Sequence, residues 1–244
     1  MALNPMHQFE VYKIGPEINL GNINLSFTNA SLFMTISAIS ILSLLFFGTK
    51  KKSLIPSKIQ LVTEMSYTFV AKMINDTAGS SARAYFPFIF SLFMFILFCN
   101  MVGMLPYSFT VTSHIIVTFV LATVVFVGVT VIGFLKHGIK YLGLFVPKGV
   151  PFILLPLIII IEIISYLSRP VSLSVRLFAN MMAGHTMLKV FGGFVISLGL
   201  LGGWLPLGFS VALTGLEILV AFLQAYVFAI LTCIYLNDAL NLHH

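Results

Sequence analysis

Charge is scarce in this chain of 244 residues: aspartate, glutamate, lysine and arginine together make up 8% of it. An ordinary soluble domain carries about 25% charged residues. Hydrophobic residues make up 59% of the chain, and no charged residue lies between Ala84 and Leu135. Because uninterrupted apolar runs of about 20 residues are typical of transmembrane helices, the composition excludes a soluble domain and predicts a polytopic membrane protein.

Cysteine is nearly absent as well, and this excludes two further classes of site. The two cysteines, Cys99 and Cys233, lie in apolar runs, so we expect neither a disulfide framework nor a metal site. The phosphate-binding pattern GxxxxGK[ST] is missing, so the chain has no recognisable nucleotide site of its own. The net charge of +6 arises from lysines in loops, which indicates membrane topology and not nucleic-acid binding.

Five apolar segments are long enough to cross a membrane, and one further helix is too polar to do so. After an outer N-terminal segment at 1–27, the predicted spans cover 28–48, 85–105, 114–135, 150–195 and 204–240. Residues 55–77 show apolar and polar side chains on opposite helical faces, which predicts an amphipathic helix on the membrane surface. We therefore predict one all-α membrane domain over 1–244, in which the last two helices form a long, tilted hairpin.

Basic residues define the orientation, because they are enriched in loops on the cytoplasmic or matrix side of a membrane. The basic residues between the predicted spans are Lys50, Lys51, Lys52, Lys58, Lys72, Arg83, Lys136, Lys140 and Lys148. All of them fall on one side if the chain crosses five times, and the turns near 106–112 and 199–206 then carry no charge on the other side. This arrangement predicts an outer N-terminus and an inner C-terminus.

Titratable residues inside the last two helices are the strongest functional signal, since intramembrane charge is costly and usually marks an ion path. With a rise of about 1.5 Å per residue, we align the two antiparallel helices so that Arg176 and Gln224 lie at one depth. Two clusters result, His185 with Glu217 on the outer side and Glu162 with Asp238 on the inner side. Asp238 lies near the end of the sequence, so a solvated terminal acid is an alternative interpretation.

One helical stripe carries the polar residues of the fourth span, at 150–195. At about 100° per residue, it contains Ser165, Arg169, Ser172, Arg176 and Asn180. We expect the side chains of Arg169 and of Lys189 to reach lipid headgroups. Arg176 has no acid on its own stripe within two turns, which disfavours a purely structural ion pair.

Two segments of the chain carry a family resemblance. SRPVSLSVRLFANMMAGH, at 168–185, and GLEILVAFLQAYVFAILTCIYLND, at 215–238, resemble the signatures of subunit a of the F-type ATP synthase membrane sector. The resemblance implies a non-catalytic subunit that translocates protons by a rotary mechanism, without a cofactor or metal. It also implies a ring of c subunits, a peripheral stalk of b-type subunits and membrane lipid as partners, and no nucleic acid.

The resemblance assigns a role to individual residues. Arg176 matches the essential arginine between two aqueous half-channels, with Asn180 and Gln224 beside it; His185, Glu217, Asn100 and His114 match the outer path, and Glu162 the inner path. The order of histidine before acid in the outer pair resembles alphaproteobacterial and mitochondrial members. A bacterial inner membrane is the expected location because no presequence is evident, and a mitochondrial inner membrane is the alternative.

Two other function classes compete with this interpretation. A proton-coupled secondary transporter usually shows repeats with broken helices in both halves, whereas the intramembrane charge here is confined to the C-terminal half. A passive structural subunit would have no reason to keep titratable groups at these depths. The chain also lacks the carboxylate that a ring subunit would carry, so we expect it to transport nothing alone.

Overall fold

The computed structural model describes residues 8–14, 19–20, 23–24, 26–50, 55–105, 108–146 and 154–241. Three of the topological lysines, Lys51, Lys52 and Lys148, lie outside the described residues, as does the predicted start of the fourth span at 150–153. The described part of the N-terminal segment contains a pair of two-residue antiparallel strands, Asn19–Leu20 and Ile23–Asn24.

Six α-helices make up the described fold. They are α1 (Asn29–Lys50), α2 (Lys58–Ala78), α3 (Phe86–Gly103), α4 (Ile115–His137), α5 (Leu155–Gly202) and α6 (Trp204–Leu240). Short 3-10 helices at Ser80–Tyr85, Val111–Ser113 and Gly138–Phe145 lie between them. The last of these replaces part of the loop that the sequence predicted after the fourth helix.

Five of the helices are long and apolar enough to cross a membrane, and α2 is not among them. This confirms the predicted fold class of an all-α polytopic membrane protein. The helix α5 begins later and ends later than the predicted span, at Leu155 and Gly202. A helix of this length is far longer than a hydrocarbon core of about 30 Å, so it must cross the membrane at a strong tilt.

The amphipathic helix α2 exposes several of its apolar side chains. The side chain of Ser57 accepts a hydrogen bond from the backbone N–H of Gln60 and caps the first turn. Val62 and Met65, from the predicted apolar face, are 50% and 63% exposed, whereas Gln60 and Thr63 are buried. Exposed apolar side chains on a helix beside membrane spans fit a lipid-facing surface. The helix packs on the protein mainly through apolar residues, because its other buried side chains are Val70, Met73, Ile74 and Ala78.

Small side chains on α6 allow close packing at the centre of the protein. Ala221, Ala225, Ala229 and Cys233 recur every four residues and are fully buried. In this region α6 contacts α2, α3, α4 and α5. Regularly spaced small residues let helix backbones approach closely within a membrane, and this stripe makes α6 the central helix of the described fold.

The hairpin of α5 and α6 turns at a glycine with a positive φ angle. Gly199 has φ 61° and ψ −157° and breaks the helical path near the end of α5, and Gly203 donates its N–H to the Gly199 carbonyl at 2.9 Å. A residue with a Cβ would adopt that φ only under strain. This sharp turn folds α6 back along α5, and the two helices make extensive contact.

The C-terminal ends of α4 and α6 are joined by hydrogen bonds. Lys136 Nζ donates to the Leu240 carbonyl at 3.0 Å, and His137 Nε2 lies 3.2 Å from the same oxygen. Carbonyls in the last turn of a helix lack intrahelical partners, and basic side chains are suitable donors for them. These contacts put the ends of α4 and α6 on the same side of the membrane, as the predicted topology requires.

Candidate functional site

The outer cluster is built around a histidine and a glutamate from the two hairpin helices. His185 Nδ1 on α5 lies 3.3 Å from Glu217 Oε1 on α6, and their side chains are 12% and 5% exposed. Neither carboxylate oxygen of Glu217 has an aligned hydrogen-bond partner among the described residues. The depth estimate from the sequence placed these two residues at the same level, and in the structure they are in contact. Their surroundings are largely buried, so a charge there is costly.

A threonine completes the surroundings of the histidine ring. Thr110, in the segment between α3 and α4, has its Oγ1 atom 2.8 Å from His185 Nε2. The same Oγ1 lies 3.1 Å from the carbonyl oxygen of Gly103, and Thr110 is 5% exposed. Both ring nitrogens of His185 are thus in contact with polar groups, one on the α3–α4 segment and one on α6.

Asn100 forms a second buried polar contact nearby, between α3 and α6. Its Nδ2 donates to the Ala221 carbonyl at 3.1 Å, and its Oδ1 accepts from Thr112 Oγ1 at 2.8 Å. Ala221 is one helical turn from Glu217, so Asn100 lies close to the outer pair along α6. His114 instead stacks on Phe109, with ring centroids 4.9 Å apart, and no hydrogen bond or ion pair joins it to His185 or Glu217 in the described part of the chain.

A glycine leaves space for the glutamate. A Cβ atom placed on Gly184 would lie 2.7 Å from Glu217 Oε1 and 3.3 Å from its Cγ. Real Cβ atoms essentially never approach so closely, and the buried Glu217 has little room to retreat. The observed position of the Glu217 carboxylate therefore requires a glycine at position 184 of α5.

Arg176 stands apart from both clusters, on the exposed side of α5. Arg176 and Asn180 are exposed, whereas Leu173, Leu177 and Met181 on the adjoining face are buried. Gln224 on α6 is partly buried. Among the described residues, no hydrogen bond or ion pair joins the Arg176 guanidinium to any group. The structure thus presents a permanent cation at the protein surface, within a membrane-spanning helix.

The inner end of the hairpin contains an ion pair that the sequence interpretation missed. Arg169 Nη1 donates to Asp238 Oδ2 at 3.1 Å, and the two side chains are 22% and 34% exposed. The guanidinium also lies over the rings of Tyr166 and Tyr235, at 5.4 Å and 4.8 Å from their centroids. The expectation that Arg169 reaches lipid headgroups is therefore wrong, because a long arginine side chain can extend along the hairpin to an acid on α6.

Among the described residues, no hydrogen bond or ion pair joins the two acids of the predicted inner cluster to each other. Glu162 is partly buried, and it forms no ion pair or hydrogen bond within the part of the chain that the structure describes. Asp238 is paired with Arg169, which lies seven residues, or about 10 Å, further along α5 than Glu162. The depth estimate compared backbone positions and could not account for the reach of a side chain.

The polar groups that the sequence did not single out come mostly from the α3–α4 segment. Thr110 and Thr112 lie in the stretch PYSFTVTSH, which the sequence predicted only as a turn. A turn has no periodicity from which side-chain direction could be inferred. For a metal centre, no group of three or more histidine, cysteine or acidic side chains with suitable geometry occurs among the described residues.

Comparisons with a family model and with individual proteins point to the same family. The family model ATP synthase A chain matches residues 31–237. ATP synthase subunit a of Pelagibacter ubique is 79% identical over 244 residues, covering 100% of both chains. The proteins of the same name from Chelativorans sp. and Rhizobium rhizogenes are 59% identical over 250 residues and 60% identical over 247 residues, and cover 98% or more of each chain.

Proposed function

The chain belongs to the ATP synthase A chain family, and from that premise we propose that it is the proton-translocating stator subunit of an F-type ATP synthase. In this role it provides two aqueous half-channels, one to each side of the membrane. Protons enter through one half-channel, bind to carboxylates on a rotating ring of c subunits, and leave through the other.

The isolated position of Arg176 is the observation that supports this mechanism best. It lies nine residues from His185 and seven from Arg169 along α5, which corresponds to about 13 Å and about 10 Å. Its guanidinium is exposed and has no partner among the described residues, so it is available to a carboxylate on another subunit. Arginine does not deprotonate in proteins, so it neutralises such a carboxylate without passing a proton on.

Separation of the half-channels follows from the same chemistry. Each elementary charge that crosses 100 mV carries about 2.3 kcal/mol, so a direct leak would dissipate the work available for ATP synthesis. A fixed positive charge repels a proton that moves directly between the two paths. Asn180 and Gln224 lie on the same two helices as polar neighbours, and in this proposal they hydrate the region around Arg176.

The two paths use different acids. In the outer path, Asn100 and His114 line the approach, and the His185–Glu217 pair receives the proton before the ring does. In the inner path, Glu162 receives the proton that the ring releases. We propose that Asp238 contributes to the inner path through its pairing with Arg169, since that contact holds α5 and α6 together beside Glu162.

The same proposal covers partners and location. The exposed side of α5 around Arg176 faces the ring of c subunits, and b-type subunits of a peripheral stalk hold the chain against rotation. The family and the membrane-spanning helices support a membrane location, and the bacterial relatives favour a bacterial inner membrane over a mitochondrial one. A proton-coupled secondary transporter is disfavoured because α5 and α6 alone carry the intramembrane charge.

Replacement of Arg176 tests the proposal directly. We expect Arg176→Ala to abolish proton-driven ATP synthesis in inverted membrane vesicles, because nothing then separates the half-channels or attracts the ring carboxylate. Arg176→Lys should restore only part of the activity, since a lysine inside a membrane can lose its proton, whereas an arginine keeps it. Arg83→Ala is the matched control, because Arg83 donates a hydrogen bond to Asn75 and lies outside α5 and α6. This variant should synthesise ATP at nearly the rate of the unmodified complex.

Assembly is measured in parallel by copurification of each variant with the c ring. Normal ATP synthesis by Arg176→Ala in an assembled complex would contradict the proposal. A loss of synthesis in Arg83→Ala as complete as in Arg176→Ala would show that removal of any arginine disables the complex.

A further inference from the structure

The hydroxyl group of Thr110 makes two contacts that together determine where its single hydrogen lies. Oγ1 is 3.1 Å from the Gly103 carbonyl oxygen and 2.8 Å from His185 Nε2. A threonine hydroxyl donates one hydrogen bond and can accept others. The Gly103 carbonyl can only accept, so both contacts are hydrogen bonds only if Thr110 donates to Gly103 and accepts from Nε2–H.

Burial favours this arrangement over its alternative. Thr110 is 5% exposed, and buried polar groups in proteins nearly always have hydrogen-bond partners. If Thr110 donated to Nε2 instead, its contact with Gly103 would be lost. The Gly103 carbonyl also accepts from Ser108 Oγ at 2.8 Å, but a carbonyl oxygen has two lone pairs and accommodates both hydroxyl groups.

The proton on Nε2 has a consequence for the opposite side of the ring. In neutral histidine with a hydrogen on Nε2, the Nδ1 atom carries a lone pair, and Nδ1 lies 3.3 Å from Glu217 Oε1. An ionised carboxylate has only acceptor atoms, so two lone pairs would then face each other in a buried site. A single proton between the two atoms removes this repulsion.

We infer that Thr110 is a positioning residue that fixes the Nε2–H tautomer of His185, so that Nδ1 is the ring atom that exchanges a proton with Glu217. The inference rests on the proposed function, in which this pair belongs to the outer path. In the transfer step, the Nδ1–H bond of the imidazolium breaks and an O–H bond forms on Glu217. The pair has zero net charge before and after the step, because imidazolium with carboxylate becomes neutral imidazole with carboxylic acid.

Zero net charge suits the surroundings of the pair. A buried, unpaired charge is expensive, whereas a proton that moves within a neutral pair avoids that cost. A pair held in this way carries one exchangeable proton at a time, and its two groups titrate as a unit. Thr110 does not touch the transferred proton in this scheme; it acts only through the orientation and tautomer of the His185 ring.

The test is solid-state NMR of the assembled complex with 15N-labelled histidine, at a pH at which His185 is neutral. Subtraction of the spectrum of His185→Gln identifies the His185 signals among the six histidines of the chain. We expect the unmodified protein to show Nε2–H and unprotonated Nδ1. Thr110→Val, which has the same shape without the hydroxyl, should give a mixture of both tautomers. Thr110→Ser, which keeps the hydroxyl, should restore the original spectrum.

Proton flux through the complex provides the functional measurement. We expect flux to fall about tenfold in Thr110→Val and to stay near the original rate in Thr110→Ser, because only the first variant loses control of the proton-exchanging nitrogen. A neutral His185 with Nδ1–H in the unmodified protein would overturn the inference, and so would an unchanged tautomer in Thr110→Val.

The outcomes separate this inference from the proposed function. If Thr110→Val does not assemble, the tautomer of the unmodified protein still decides, because Nδ1–H is incompatible with the hydrogen-bond pattern inferred for Thr110. Activity in Arg176→Ala would refute the half-channel mechanism and leave the His185 spectrum unaffected. If His185 shows Nδ1–H in the unmodified protein while Arg176→Ala is inactive, only the role of Thr110 is refuted.

Discussion

The two ends of the α5–α6 hairpin each hold a carboxylate of α6, but they pair it with different partners. At the outer end, Glu217 is 5% exposed and faces His185, whose imidazole ring can gain or lose a proton. At the inner end, Asp238 is 34% exposed and is bound to Arg169, which keeps its charge. A carboxylate beside a titratable partner can exchange a proton with it, whereas a carboxylate bound to a permanent cation forms a salt bridge and acts as an anchor.

This difference gives the inner path a specific carrier. Glu162 is the acid near the inner end of α5 that no described basic group neutralises, while Asp238 is held by Arg169. We therefore propose that Glu162 accepts the released proton and that the Arg169–Asp238 pair maintains the local structure. The rings of Tyr166 and Tyr235 support the pair by cation–π contacts with the guanidinium.

Of the changes at the two ends of the hairpin, those in the outer pair should have the largest effect. His185→Ala and Glu217→Ala should each reduce proton flux about a hundredfold, because each removes one half of a positioned proton-transfer pair. The double variant should be little worse than the more severe single variant, since contacting residues on one path are not additive. Flux is measured in vesicles that contain the assembled complex. Two effects that multiply independently would show that the residues do not act as a pair.

A smaller effect is expected from the glycine beside the pair. Gly184→Ala should reduce flux about tenfold, because the added Cβ would displace the Glu217 carboxyl group and overpacking of this kind typically costs about 1–3 kcal/mol. Gly192→Ala is a matched control on the same helix, since a Cβ atom there meets nothing within 4 Å. Equal loss in both variants would indicate a general effect of alanine on α5 and not displacement of Glu217.

The smallest effect is expected at the inner end. Asp238→Asn and Arg169→Gln should each reduce flux only a few-fold, because a pair this exposed contributes about 1 kcal/mol or less. The double variant should recover part of the loss, since no charge is then left unpaired. Glu162→Gln in the same assay provides the comparison and should be clearly more severe. If Asp238→Asn is as severe as Glu162→Gln, the distinction between carrier and anchor fails.

The sequence predicted the architecture well because membrane helices follow simple rules of length and polarity. It also brought His185 and Glu217 together, since a constant rise per residue relates positions on two antiparallel helices. The rule failed for Asp238, whose partner is determined by the reach of the Arg169 side chain and by two aromatic rings. It could not reveal Thr110 either, because the direction of a side chain in a turn depends on backbone angles that show no periodic pattern.

The shared hydrogen bonds at Leu240 have a mechanical consequence. A ring that turns against the exposed side of α5 would exert a lateral force on the hairpin. If the hairpin were held only at its outer turn, this force would displace its inner end. Lys136 and His137 close the opposite end by holding the last carbonyl of α6 to the end of α4. In the proposed mechanism, the force would then be shared by three helices, which would stiffen the surface along which the ring carboxylates pass Arg176.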